Sequence, residues 1–124
     1  MIMFYIILSM IFLHIVDDYY LQGCLASMKQ KVWWKKNYPN ELYKYDYIWA
    51  LIMHSFSWTF MIMLPIVISM SFKVGAIFII LFFVNIIIHA VTDNAKANKG
   101  CINLWQDQLI HMIQIIATGI ILCN

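Results

Sequence analysis

Four long apolar segments alternate with polar stretches along the chain. They cover residues 1–16, 47–70, 74–91 and 104–123. A membrane-spanning helix needs about 20 mainly apolar residues, so the second and fourth segments are long enough by themselves. The first and third must take further residues from their flanks. The pattern therefore predicts four transmembrane helices, with a long polar loop after the first of them.

Composition agrees with a membrane protein. Hydrophobic residues make up 64% of the chain and charged residues 11%, whereas charged residues are about 25% of a soluble domain. The 124 residues are enough for one domain, 1–124. We expect an all-α fold, a four-helix antiparallel transmembrane bundle. The first segment lacks a basic start and a small-residue cleavage site, so we expect a retained helix and not a signal peptide.

The lysines predict how the helices are oriented. Five of the eight lysines lie between the first two spans, two between the last two, and only Lys73 in the short middle turn. The positive-inside rule then places the first and third loops in the cytoplasm and both termini outside. The net charge of +2 comes from this bias, so nucleic acid is not an expected partner. Aromatic residues alternate with lysines over 23–46, which is typical of an amphipathic segment anchored on the membrane surface.

Histidines are the most informative polar residues of the apolar segments. The chain has four, one in or beside each segment: His14, His54, His89 and His111. In the predicted topology all four lie at a similar depth, just inside the cytoplasmic boundary. Three have an aspartate four residues away, on the same helix face. The pairs are His14 with Asp18, His89 with Asp93, and His111 with Asp107.

These residues together predict a metal site. Ionisable groups within membrane segments are expensive and must pair or coordinate, and nearby carboxylates repel one another unless a cation is present. Imidazole and carboxylate suit Zn²⁺, and also Mn²⁺ or Fe²⁺. There are more candidate ligands than a single tetrahedral site can use. Either two ions share them, or some of the aspartates orient the histidines without binding the metal. The candidates are His14, Asp18, His54, His89, Asp93, Asp107 and His111.

Other polar residues continue the helix faces that carry the histidines. Asn85 precedes His89 by one turn, and Gln114 and Thr118 follow His111. Such a stripe could form a substrate groove, but interhelical hydrogen bonding is its commoner use. The three cysteines form no close pair, so we expect neither a disulfide nor a thiolate site.

Three runs of residues resemble the motifs of a family. They are H-x-x-x-D-x-x-L-Q at 14–22, H-x-x-x-D-x-x-K at 89–96 and D-Q-x-x-H at 107–111. With His54 between the first two, the chain resembles, over nearly its whole length, an uncharacterised family of small integral membrane proteins of bacteria and their phages. The resemblance implies that Gln22, Lys96 and Gln108 belong to the site, and that the membrane is the bacterial (host) inner membrane. Asp17 lies outside the pattern and is interpreted as a solvated interfacial charge.

The favoured hypothesis for function is a metal-dependent membrane hydrolase. The metal would activate water against a lipid-linked phosphate or amide at the cytoplasmic leaflet. Lys96 would hold an anionic head group, and Gln22 or Gln108 would orient the substrate. An aspartate that does not bind the metal, from Asp18, Asp93 and Asp107, would act as general base.

Two other classes of function stay open. The cluster could bind or pass ions, as a divalent metal transporter, a proton relay or a metal staple in an assembly. Four helices form a small conduction unit, so transport would require a homo-oligomer. A protein that only disrupts bilayers is a third class, but that role gives no reason for carboxylates beside histidines.

Overall fold

The computed structural model describes residues 1–123 of the chain, and these form a helical bundle with no strand. The predicted all-α fold with four long apolar helices is therefore confirmed. Two short helices lie between the first and second long ones. In chain order the helices are α1 (Ile2–Val16), α2 (Leu25–Met28), α3 (Lys31–Asn37), α4 (Asp46–Ser69), α5 (Ala76–Asn94) and α6 (Leu104–Cys123).

Two of the long helices continue through π-helical turns. After α1 the turn covers Asp17–Leu21, and the Gln22 amide donates to the Asp17 carbonyl at 3.0 Å. After α5 the turn covers Ala95–Lys99, and it ends at Gly100, whose φ of 61° is readily adopted by glycine. These turns lengthen the two helices whose apolar segments were short.

Four helical stretches are thus long and apolar enough to cross a membrane. They are Ile2–Leu21, Glu41–Ser69, Ala76–Lys99 and Leu104–Cys123. Large apolar side chains cover the outer surface, as at Ile80, Phe83 and Ile87, which are 59–62% exposed. Apolar surface of this extent is typical of a protein that contacts lipid.

The interior of the bundle is more polar than its surface. Fifteen polar or charged residues are buried, compared with ten hydrophobic residues. The polar residues concentrate in one half of the bundle, and the other half is filled by fully buried apolar side chains. This apolar core includes Met10, Trp58, Ile62, Ile66 and Ile115.

The helices carrying Asn85, Gln114 and Thr118 are joined by hydrogen bonds. The Asn85 amide donates to the Thr118 hydroxyl at 2.8 Å, and the Gln114 amide donates to Asn85 Oδ1 at 3.1 Å. The predicted interhelical hydrogen bonding of these residues is confirmed. Close approach of α1 and α6 depends on Gly119, because a Cβ atom there would lie 2.9 Å from Ile7 Cγ1.

The segment between α1 and α4 is folded and rich in aromatic contacts. The ring centroids of Trp34, Tyr38 and Tyr43 lie 5.3–6.3 Å apart, and the Lys31 ammonium lies 4.8 Å from the centre of the Tyr47 ring. Most lysines of this segment are exposed, as expected for membrane-surface anchors. Lys29 differs, because its side chain enters the bundle.

Candidate metal centre

Four histidines and four aspartates meet at one level inside the bundle. His14 and His89 lie near the ends of α1 and α5, whereas His54 and His111 lie in the first halves of α4 and α6. Consecutive long helices run in opposite directions, so these positions coincide in depth. All four histidines are fully buried, and the aspartates at positions 17, 18, 93 and 107 are at most 8% exposed.

One set of donor atoms surrounds His54. Its Nε2 atom lies 3.2 Å from His89 Nε2, 3.3 Å from Asp18 Oδ1 and 3.4 Å from Asp93 Oδ2. Asp18, His54 and His89 each offer one atom, and these atoms lie within 4.8 Å of one another. We call these three residues the His54 group.

A second set surrounds His111. Its Nε2 atom lies 3.4 Å from Asp93 Oδ1 and 3.5 Å from Asp107 Oδ1. His89, Asp93 and His111, which we call the His111 group, satisfy the same 4.8 Å condition. His89 is common to the two groups, and Asp93 directs one oxygen to each.

Several of these donor atoms lack a hydrogen-bond partner among the described residues. They are Asp18 Oδ1, Asp107 Oδ1 and His111 Nε2, and all three are buried. Leaving such a group unpaired costs about 1–3 kcal/mol, and more if it is charged. A cation beside His111 would satisfy Asp107 Oδ1 and His111 Nε2, and one beside His54 would satisfy Asp18 Oδ1. Bound cations are the kind of explanation that buried orphan groups require.

Hydrogen bonds fix the proton position on His111. The Asn85 side chain accepts from the Gln114 amide, so Gln114 turns its Oε1 atom towards His111 Nδ1, at 3.3 Å. An amide oxygen can only accept, and His111 Nδ1 must therefore carry the hydrogen. The Nε2 lone pair is then directed at Asp93 and Asp107, as a metal ligand requires.

His14 is held differently, although it was predicted as a ligand. The Trp58 indole N–H donates to His14 Nδ1 at 2.7 Å, so His14 Nε2 carries the hydrogen and donates to Gln108 Oε1 at 3.0 Å. Gln108 in turn donates to Asp107 Oδ2 at 3.2 Å and to Asp18 Oδ2 at 3.5 Å. This series of hydrogen bonds occupies both ring nitrogens of His14, and through Gln108 it orients the carboxylates of Asp18 and Asp107.

Asp17 is not the solvated charge that the sequence suggested. It is fully buried, and the Ser57 hydroxyl donates to its Oδ1 atom at 2.6 Å. Its Oδ2 atom lies 3.7 Å from His54 Nδ1. These two atoms are too far apart for a hydrogen bond, but Asp17 lies on the side of His54 from which a carboxylate usually orients a metal-binding histidine.

Two lysines carry positive charge into the cluster. Lys96 was expected to hold an anionic substrate, but its ammonium pairs with Asp107 Oδ2, and its side chain is 28% exposed. Lys29 Nζ donates to Asp93 Oδ2 at 2.6 Å, and its side chain is 10% exposed. No sequence pattern singles out Lys29, because it lies among lysines that the positive-inside rule already explains.

The remaining predicted residue, Gln22, lies at the edge of the cluster. It is half-buried, and its side-chain amide donates to the Asp18 carbonyl oxygen of its own turn. Gln22, Lys96 and Gln108 are all half-buried, and they lie at the polar end of the bundle.

Comparisons with protein-family models, with curated proteins and with solved structures gave no match to this chain.

Proposed function

We propose that this chain is an integral membrane metalloprotein that binds a divalent ion in the His/Asp cluster. The donor spacing carries the proposal. Zinc bonds of 2.0–2.1 Å in tetrahedral geometry place neighbouring ligand atoms about 3.3–3.4 Å apart. His54 Nε2 and His111 Nε2 lie 3.2–3.5 Å from donor atoms of His89, Asp18, Asp93 and Asp107.

The formal charges of the cluster support the same proposal. The cluster contains four carboxylates, those of Asp17, Asp18, Asp93 and Asp107, and two ammonium groups. Lys29 pairs with Asp93, and Lys96 pairs with Asp107. With neutral imidazoles, two negative charges stay uncompensated in a low-dielectric interior. One divalent ion would balance them, and buried charges require such a partner. Imidazole with carboxylate favours Zn²⁺, with Mn²⁺ or Fe²⁺ as the alternatives.

We further propose that the bound ion activates water for hydrolysis of a lipid-linked phosphate or amide. A catalytic zinc lowers the pKa of its bound water to about 7. His89, Asp93 and His111 would supply three ligands and leave the fourth position of a tetrahedral zinc to the water. Asp18 or Asp107, whichever does not bind the ion, would act as general base, oriented by the shared amide of Gln108.

Substrate would reach the ion from the polar end of the bundle. Gln22, Lys96 and Gln108 form its half-buried rim, and Lys96 would respond to an anionic group by partial release from Asp107. The opposite half is closed by the apolar core around Ile62 and Ile66. One-sided access suits an enzyme better than a transporter, for which a polar path through the bundle or an oligomer is needed.

The polar end is proposed to face the cytoplasm of the bacterial host. Native Cys24 and Cys101 are exposed at this end, and Ser71 lies in the turn at the other end. A membrane-impermeant maleimide added to intact cells should label a Ser71→Cys variant but leave Cys24 and Cys101 unmodified until the cells are lysed. The opposite pattern would move the site to the outer leaflet.

Enzyme activity is tested with purified protein in detergent, prepared with zinc, with chelator, and as the His111→Ala variant. Each form is incubated with lipid phosphates, lipid-linked pyrophosphates and lipid amides. We expect turnover of one class, lost with chelator and in the variant. Metal binding without turnover of any class would refute the hydrolase and favour ion handling.

A further inference from the structure

We propose that Lys29 is a built-in cation that fills the second of two metal positions and so limits the cluster to one ion. The inference rests on the proposed metal site. It concerns a residue outside the helical motifs, supplied by the segment between α1 and α4. Lys29 Nζ lies 2.6 Å from Asp93 Oδ2, and the residue is 8% exposed.

The contact falls on an atom that a second ion would need. Asp93 Oδ2 is the carboxylate oxygen 3.4 Å from His54 Nε2. Together with Asp18 Oδ1 and His54 Nε2 it would give an ion on this side three donors. His89 Nε2 has one lone pair and would complete either this site or the His111 site, but not both. The positive charge of a lysine ammonium at this oxygen repels a divalent ion. The ammonium also occupies one of the lone pairs with which the oxygen would bind that ion.

The His111 side of the cluster has no such obstruction. Asp93 Oδ1 and Asp107 Oδ1 both face His111 Nε2. Lys96 pairs with the other oxygen of Asp107, which leaves Oδ1 directed at the ion. A single ion would therefore lie in the His111 group, with Lys29 acting as the cation of the His54 group.

The backbone around Lys29 is fixed by one residue of the π-helical turn after α5. The side-chain amide of Asn98 donates to the Lys29 backbone carbonyl at 2.9 Å and to Asn94 Oδ1 at 2.8 Å. The Oδ1 atom of Asn98 accepts from the backbone N–H of Lys31 at 2.7 Å. These bonds dock the loop on α5 and direct the Lys29 side chain inwards, so the insertion is specified by more than the ion pair.

The test is the number of zinc ions per chain, measured by elemental mass spectrometry after dialysis against buffered free zinc. We expect one ion in the wild type, one in Lys29→Arg, which keeps the charge, and two in Lys29→Met. Lys35→Met, at an exposed position of the same segment, is the matched control and should bind one ion.

A second measurement is thermal stability with chelator and with zinc. In chelator, Lys29→Met should melt below the wild type, because Asp93 loses its counter-charge. Zinc should raise the melting temperature of Lys29→Met more than that of the wild type, since the variant binds an additional ion.

Each outcome bears on one of the two proposals. Two ions in the wild type, or one in a folded Lys29→Met, would overturn the role of Lys29 and leave the metal site intact. No ion in the wild type would overturn the metal site itself. If Lys29→Met does not fold, Asn98→Ala, which releases the loop without changing the cluster, should bind a second ion. One ion in that variant would then overturn the role of Lys29.

Discussion

Replacing Asp93 with asparagine keeps the side-chain shape but removes the charge that faces Lys29. At 2.6 Å and an effective dielectric constant of 20, the attraction of the pair is about 6 kcal/mol. Desolvation of the two groups offsets part of this. Removing one partner of a buried pair typically costs about 3–5 kcal/mol. We expect Asp93→Asn to lower the free energy of unfolding of the chelated protein by that amount.

The measurement is unfolding in mixed micelles with increasing sodium dodecyl sulfate, followed by tryptophan fluorescence in the presence of chelator. Glu41→Gln is the control, because its ion pair with Lys44 lies at the surface, where Glu41 is 85% exposed and solvent screens the attraction. The double variant Asp93→Asn with Lys29→Met should cost clearly less than the sum of the two single changes.

Either of two results would refute this reasoning. An Asp93→Asn variant as stable as Glu41→Gln would mean that the buried charges are not coupled to folding. Additive single and double changes would mean that Lys29 and Asp93 do not act as a pair. In zinc, the cost of Asp93→Asn should increase further, because the variant also loses a proposed metal ligand.

Two further substitutions test the residues that orient the histidines. Trp58→Phe removes the N–H that pairs with buried His14 and should lower the free energy of unfolding by about 1–3 kcal/mol. The control, Trp49→Phe, lies at a position 67% exposed and should change this free energy little. Equal effects of the two substitutions would contradict the role of the indole. Gln114→Met removes the acceptor that fixes the proton on His111 and should weaken zinc binding about 10–100-fold with helix content unchanged in circular dichroism. Unchanged zinc affinity would show that this hydrogen bond does not orient the ligand.

The main features of the fold follow from the sequence. The four apolar segments predict the long helices, and lysine counting with the histidine positions predicts that all four imidazoles share one level. The i,i+4 spacing of Asp93 after His89 and of Asp107 before His111 predicts their convergence, because such residues share a helix face. The structure places these side chains together.

Three features of the site could not be predicted in the same way. Asp17 and Asp18 are about 100° apart on a regular α-helix, so only one was expected to face inwards; the π-helical turn brings both into the interior. Lys29 has the sequence context of a surface anchor, and its insertion depends on the loop contacts of Asn98. The role of His14 depends on Trp58, which is apolar core in any hydropathy pattern.

The central claim is a divalent ion held by imidazole and carboxylate, and X-ray absorption spectroscopy of the purified, zinc-loaded protein tests it most directly. We predict one ion per chain with nitrogen and oxygen ligands at about 2.0–2.1 Å, at least two of them imidazoles, and a weaker imidazole signal in His89→Ala, which loses one of them. Zinc that binds through sulfur, or a spectrum unchanged by His89→Ala, would contradict the assignment of the ion to this cluster. Protein that binds no divalent metal would contradict the account as a whole.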